Sequence, residues 1–183
     1  MNSIFKKLIL GLLLISFFSC SEELNFEQAD DLEISPIYTS SLVYFTVLPN
    51  NFFDDTGVLT NNSITDSTVF RAFENSFFRN NIFLLDLNVE CKNEFSRAIS
   101  IDLEFLDANN NQTYPTIELD IAAGDLDFEH LETILIANNP AFVNTLQVRI
   151  TTEIEATGAP INSSDTTEFE LKSAVTAYIN SDI

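Results

Sequence analysis

The sequence predicts an all-β protein, folded as a single two-sheet antiparallel β-sandwich of about seven strands with an immunoglobulin-like or related architecture. Three observations carry this. Leu85, Leu87 and Val89 alternate with Asp86, Asn88 and Glu90, and Ile99, Ile101, Leu103 and Phe105 alternate with Ser100, Asp102 and Glu104. That period of two is the signature of antiparallel strands wet on one side. Further strand-like segments follow at sandwich spacing, separated by turn residues. The 17 phenylalanines suit a thick apolar core, and only 4 Gly and 5 Pro argue against disorder across the body. The length fits one domain, burying roughly 70% of its unfolded surface on folding.

Each element has its own warrant. Residues 41–48 (Ser-Leu-Val-Tyr-Phe-Thr-Val-Leu) are β-branched or aromatic on both faces, which predicts a strand buried on both sides and ended by Pro49. Residues 50–66 are rich in Asn, Asp and Thr around Gly57, a loop from which Phe52 and Phe53 plug back into the core. A short strand over 67–73 precedes an irregular stretch around 74–81. After the two alternating strands, Asn109-Asn110-Asn111 turns the chain into a third over 113–121. Residues 128–136 fit a helical stripe through Phe128, Leu131 and Leu135 as well as a strand, and are read as a strand. Asn139-Pro140 opens one helical turn through Asn144. Leu146, Val148 and Ile150 then alternate against Gln147, Arg149 and Thr151, and 168–179 forms the last strand, with Ser173 marking a bulge.

The first residues follow a different logic. Lys6 and Lys7 precede an almost unbroken apolar run from Leu8 to Phe18, with small Ser19 before Cys20. This is a secretory signal, too short to span a bilayer permanently. Ile15-Ser16-Phe17-Phe18-Ser19-Cys20 resembles the lipobox of bacterial lipoproteins, with Phe17 and Phe18 bulkier than its usual residues. The resemblance implies cleavage before Cys20 and acylation of its thiol, and more than one acyl chain there would give stable anchoring. Ser21-Glu22-Glu23 resembles the acidic export tag of surface-displayed lipoproteins, and Ser21 is not the Asp that favours inner-membrane retention. The expected organisation is a signal peptide over 1–19, a lipidated acidic tether over 20–36 and the sandwich over 37–183. The tether Leu24-Asn25-Phe26-Glu27-Gln28-Ala29-Asp30-Asp31, the Leu42-Val43-Tyr44-Phe45 strand and the end Lys172-Ser173-Ala174-Val175-Thr176-Ala177-Tyr178 together resemble a family of uncharacterised bacterial outer-membrane lipoproteins. That resemblance implies a cell-surface, membrane-anchored location and a sandwich fold, and brings no activity.

Charge narrows the partners. The full chain carries a formal −20, and losing Lys6 and Lys7 makes the mature chain two charges more negative. Nucleic acid and anionic lipid faces gain nothing by approaching such a field. If Cys20 is acylated, Cys91 is left alone and no intramolecular disulfide forms; it continues the apolar side of its strand, as an inert buried thiol would. His130 is the one histidine, and nothing in its spacing builds a Cys–His dyad or a Ser-His-Asp triad.

Three constellations bear on chemistry. Asp107, Asn109 and Asn111 occupy positions 1, 3 and 5 of a calcium-loop template with Glu118 at position 12, but Gln112 stands where the template needs Gly, so an Asn-rich turn explains the same residues. Asp54, Asp55, Asp125 and Asp127 are candidates for a looser calcium site. A glycosidase pair needs two carboxylates about 5–10 Å apart, and with 28 acids some pair meets that by chance. The chain has no Trp for sugar stacking, leaving Tyr38, Tyr44, Tyr114 and Tyr178. Asp66-Ser67-Thr68 and Asp165-Thr166-Thr167 resemble a bacterial O-glycosylation motif on loops. The expected function is therefore a lipid-anchored envelope or surface protein, not an enzyme, whose sandwich binds a protein or glycan and needs no cofactor beyond a weak option on calcium. The alternatives are a structural envelope lipoprotein without a ligand, a secreted hydrolase, and a carrier holding an apolar ligand between the Phe-rich sheets. An exposed apolar patch would mark the binder, and a pocket of several hundred Å³ the carrier.

Overall fold

The structure, a computed structural model, describes residues 33–182. Its main strands are β2 (Ile37–Val47), β3 (Ser63–Val69), β4 (Ile82–Asn93), β5 (Ile99–Leu106), β6 (Ile117–Ile121), β7 (Phe128–Leu135), β8 (Gln147–Ile154) and β9 (Phe169–Ile179). Two-residue strands, β1 (Glu33–Ile34) and β10 (Ser181–Asp182), stand at the two ends of the described chain. The main strands form two four-stranded sheets, in the orders β2-β9-β4-β7 and β3-β8-β5-β6, and every pairing is antiparallel. This is the predicted all-β sandwich, with eight main strands where about seven were expected. The strand order makes it a jelly roll, a related sandwich rather than an immunoglobulin one: every sequential step except β5 to β6 crosses between sheets.

The alternation in the sequence decides which face each strand buries. Leu85, Leu87, Val89 and Cys91 of β4 point inward, as do Ile99, Ile101, Leu103 and Phe105 of β5 and Ile117, Leu119 and Ile121 of β6. Phe52 and Phe53 do plug back from their loop and are buried. Residues 128–135 form a strand, and Pro140–Asn144 is a 3-10 turn.

Five local expectations need correction. β2 is an edge strand, exposed along Ile37–Ser41 and burying only its inward side beyond, not buried on both sides. β3 covers 63–69 instead of 67–73, a register set by its pairing to β8 from Ser63↔Glu153 to Val69↔Gln147. Residues 76–81 are not irregular but a short helix, α1 (Ser76–Asn81), whose cap Asn75 accepts the Phe77 amide at 2.8 Å. β6 starts at Ile117 and not at 113, because Pro115 has no amide to give a ladder and Thr113 bonds the Phe105 carbonyl instead. The bulge opposite Ser173 lies on the partner strand: the β2 register slips between Ser41 and Val43, which makes Leu42 the extra residue.

Each end of the sandwich is closed by different chemistry. At the end where β5 stops and β8 starts, Phe142 of the 3-10 turn lies 5.8 Å from the Phe70 ring, 5.7 Å from Phe73, 5.1 Å from Phe105 and 5.5 Å from Tyr114. Below it the buried hydroxyls of Thr113 and Thr145 satisfy each other at 2.6 Å. At the other end, where β4 stops and β5 starts, closure is polar. Buried Asn93 donates to the carbonyls of Arg97 and Ala122, both at 2.9 Å, and accepts the Phe95 amide at 3.0 Å. Buried Arg97 donates to the carbonyls of Glu155, Ala156 and Ala159 and lays its guanidinium over the Phe53 ring. Gly158, at φ +140°, passes so close to Arg97 that a Cβ would meet its Cγ at 3.3 Å.

Phe142→Ala should therefore lower the unfolding free energy by about 3–5 kcal/mol, since it removes a ring shared by four others. Phe77→Ala, on the exposed side of α1, should cost less than about 1 kcal/mol. Urea melts followed by far-UV circular dichroism compare the two. Equal losses would mean that the ring cluster does not close that end.

Candidate functional site

Two apolar features of the described surface meet at the first half of β2. The first is a cleft of ≈ 330 Å³ at the mouth between the sheets, where the inward side of β2 stands away from the end of β3. Leu42, Phe70, Ala72, Phe78, Ile82 and Val175 supply most of its lining. Tyr38, Ser40 and Ser41 add hydroxyls, and Arg71 stands at its rim, 3.8 Å from Glu74. α1 holds Phe78 in place, edge-on to Tyr38 with ring centres 5.2 Å apart. The cleft lies beside the Leu42 bulge, where the register of β2 against β9 slips.

The second feature is a row across the outer face of the β2-β9-β4-β7 sheet. Ile37 pairs with Tyr178, Tyr178 with Leu84, and Leu84 with Leu135, so four apolar side chains from four strands stand side by side. Ile37 is 61% exposed and Leu135 45%. A second bulge, between Ile82 and Leu84, extrudes Phe83 beside this row, its ring 6.5 Å from Tyr178. Asp86 fixes the row from below by accepting from the Tyr178 hydroxyl at 2.9 Å and from Thr133 at 2.8 Å. Farther along the same face Tyr44 donates to Glu170, while Lys172 pairs with Glu170 and lies over the Tyr44 ring.

A polar cluster missed at the level of sequence sits on β7. Tyr114 donates to Glu132 Oε1 at 2.6 Å. His130 Nε2 lies 3.4 Å from Glu132 Oε2, near enough for a charge contact but without hydrogen-bond alignment. The signal was in the chain: if 128–136 is a strand, His130 and Glu132 share parity with Phe128 and Ile134 and face inward. None of the three lines the apolar cleft.

The other sequence candidates fall as follows. Cys20 and the Ser21-Glu22-Glu23 stretch lie outside the described residues. Asp107, Asn109 and Asn111 share one turn, and the Asp107 carboxylate is engaged by that turn's own donors, the amides of Asn109 and Asn111 and the Asn111 side chain. Those bonds hold Asp107 below the ordinary carboxylate range. Asn110 takes φ 60°, completing the reversal that Gly would otherwise provide. Glu118 does not join them: it pairs with Asp102, four strand positions before Leu106 and roughly 13 Å from the turn at the usual rise. Asp54 is engaged in its own loop by Thr56 and Val58. Among the described residues no three His, Cys, Asp or Glu side chains converge as a metal site would need. Asp66-Ser67-Thr68 lies on strand β3 and not on a loop, whereas Asp165-Thr166-Thr167 is in a loop. Cys91 is buried, and burial, with Asp125 adding repulsion, pushes its thiol up to about 12. It is a neutral thiol at physiological pH.

No family model matches this chain, and no curated protein does. Solved structures match the chain only distantly. A protein from Parabacteroides distasonis is 12% identical with a TM-score of 0.46, over 63% of this chain and 38% of that one. The infectious bursal disease virus Gx strain structure is 10% identical with a TM-score of 0.42, over 79% of this chain and 32% of that one. The enzymatically active domain of tailspike protein 4 from bacteriophage CBA120 is 11% identical with a TM-score of 0.42, over 79% of this chain and 19% of that one. The chain thus spans less than half the length of each. Identities and scores this low say nothing of what the chain binds.

Tyr114 allows a pH test. Burial, then its bond to Glu132, raises the phenol from 10.0 to about 12. A folded-state value above the unfolded one stabilises fully below pH 10 and is lost as pH rises from 10 to 12. Thermal melts across that window should fall less steeply for Tyr114→Phe than for the wild type. Part of the fall will remain, because Tyr178 is raised too by its bond to Asp86. Parallel curves would show that folding does not raise the Tyr114 phenol.

Proposed function

We propose that this protein is a lipid-anchored envelope or surface protein whose sandwich binds a partner without catalysing a reaction, and that the cleft beside β2 is where it does so. The cleft carries the reading. Its ≈ 330 Å³ reaches the lower end of ligand-pocket sizes, and its walls are apolar with a few hydroxyls and one guanidinium at the rim. Such a lining suits the apolar group of a partner, with its polar part left at the mouth. The strongly negative chain favours neutral or basic partners over acidic ones. Catalysis finds less support: the one histidine serves no cavity described above, and Cys91 is buried and neutral. Anchoring rests on the signal and Cys20, as read from the sequence.

Two experiments test the two halves. Cys20→Ser should move the protein out of the outer-membrane fraction, leaving it soluble or unprocessed. A variant that still partitions with outer-membrane lipid would end the lipoprotein reading. For the cleft, an anilinonaphthalene dye should fluoresce on binding the purified mature domain. Ala72→Trp, which fills the cleft from its wall, should weaken that binding by about tenfold, the loss of roughly 1.4 kcal/mol of contact. Undiminished dye binding by a folded Ala72→Trp domain would place the apolar site elsewhere.

A further inference from the structure

Two four-stranded sheets have four edges: β2, β7, β3 and β6. Three carry charge, as protein edges commonly do to resist pairing with other chains. β7 holds Glu129 and Glu132, β3 holds Asp66, and β6 is five residues long with Glu118 and Asp120. β2 is the exception. Its eleven residues, Ile37–Val47, include no charged side chain and no proline, in a chain of net −20. Among the described residues, no backbone hydrogen bond to another strand covers Ile37–Val47 beyond its ladder to β9.

The same stretch separates the two apolar surfaces. Ile37 ends the outer row, while Tyr38 and Ser40, of opposite parity, line the cleft. A strand laid along Ile37–Ser41 would send alternate side chains to the outer row and to the cleft. Backbone pairing would supply affinity there, and the cleft would select one side chain in two. The regular register runs from Ile37 to Ser41 and breaks at the Leu42 bulge, which sets the length of the docking edge. Charge chooses between possible strands: a second copy would bring another −20 toward the first, whereas a neutral or basic segment meets no repulsion. We propose that the free edge of β2 at Ile37–Ser41 accepts an added antiparallel or parallel strand from a partner protein, a segment with no acidic residue whose alternate apolar side chains enter the cleft. This rests on the binding role of the cleft argued above and specifies the partner.

The probe is a synthetic peptide of about nine residues alternating phenylalanine or valine with threonine, with lysine at both ends. It is titrated into the mature domain and followed by amide NMR and hydrogen exchange. Shifts and new protection should concentrate in 37–41. The same peptide N-methylated on alternate amides keeps its side chains but cannot complete a ladder, and should bind about tenfold more weakly or worse. Equal binding by the N-methylated peptide, protection confined to β3 or β7, or no binding at about 1 mM peptide would each overturn strand addition. So would concentration-dependent dimers in sedimentation that protect 37–41 without peptide, since the occupant would then be a second copy. A domain that binds the dye in its cleft yet gains no protection in β2 would sink strand addition and leave the binding role standing.

Discussion

Everything in this fold depends on two inner sheet faces meeting through Leu, Ile and Val, and on how the ends of that contact are sealed. The strands alone leave both ends open, because side chains standing off a sheet cover its face and not its rim. One rim is sealed by rings: Phe142, brought in by a short 3-10 turn, joins aromatic residues from the end of β3, from β5 and from the loop before β6. The other is sealed by hydrogen bonds, through Asn93 and Arg97. Arg97 is the costlier device, since a buried cation without a carboxylate must be satisfied by dipoles. Three carbonyls and the face of Phe53 do that, and they hold the 155–159 loop to the body in return.

How much of this was legible follows from where each signal resides. Strands with one wet face wrote themselves into the sequence: β4, β5 and β8 alternate cleanly because one side meets the core and the other meets water. β3 left a weaker mark. Its exposed residues, Thr65, Asp66, Ser67 and Val69, lie on an edge and do not alternate, so its true register is visible only in its pairing to β8. α1 is too short to show a stripe, and only its Asn75 cap hinted at it. The wiring was beyond reach, because the pairing of β2 with β9 joins residues more than a hundred positions apart. The cleft shares that character: its walls come from 38–42, 69–72, 78–82 and 175–177, and no one of those segments reads as a site. The His130–Glu132 pair was the readable miss. Its parity with Phe128 and Ile134 follows at once from reading 128–136 as a strand.

The distribution of charge gives the surface its sense. With so many acids, the sandwich has little choice but to place them on wet strand positions, loops and edges. The outer face of the β2-β9-β4-β7 sheet shows how this is managed. Its far end pairs acids with lysines, Lys172 with Glu170 and Lys92 with Glu94. Its near end replaces charge with apolar side chains, bound together by Asp86 through Tyr178 and Thr133. Exposed pairs of the first kind contribute little to stability. The apolar row is harder to explain as a product of folding, because its side chains gain nothing from standing in water.

That mismatch points to β2 as the place where folding and function diverge. A fold optimised only for stability would close the first half of β2 onto β3 and bury Tyr38 and Leu42 against Phe70. Instead, Tyr38 on the inward side stays 49% exposed at the cleft beside the Leu42 bulge, and Ile37 on the outward side is 61% exposed. Bulges at sheet edges are a known means of twisting an edge out of reach of other chains. Here the bulge protects only the middle of β2. Ile37–Ser41 keeps a regular register, no charge and a cleft at its side. Local departures from consistent packing concentrate where a protein meets a ligand, and here the inner cleft and the outer row meet at β2. The ring cluster around Phe142 lies at the same end and shares Phe70 with the cleft wall. The core can therefore tolerate an open mouth beside it, because the contacts that seal that end do not pass through β2.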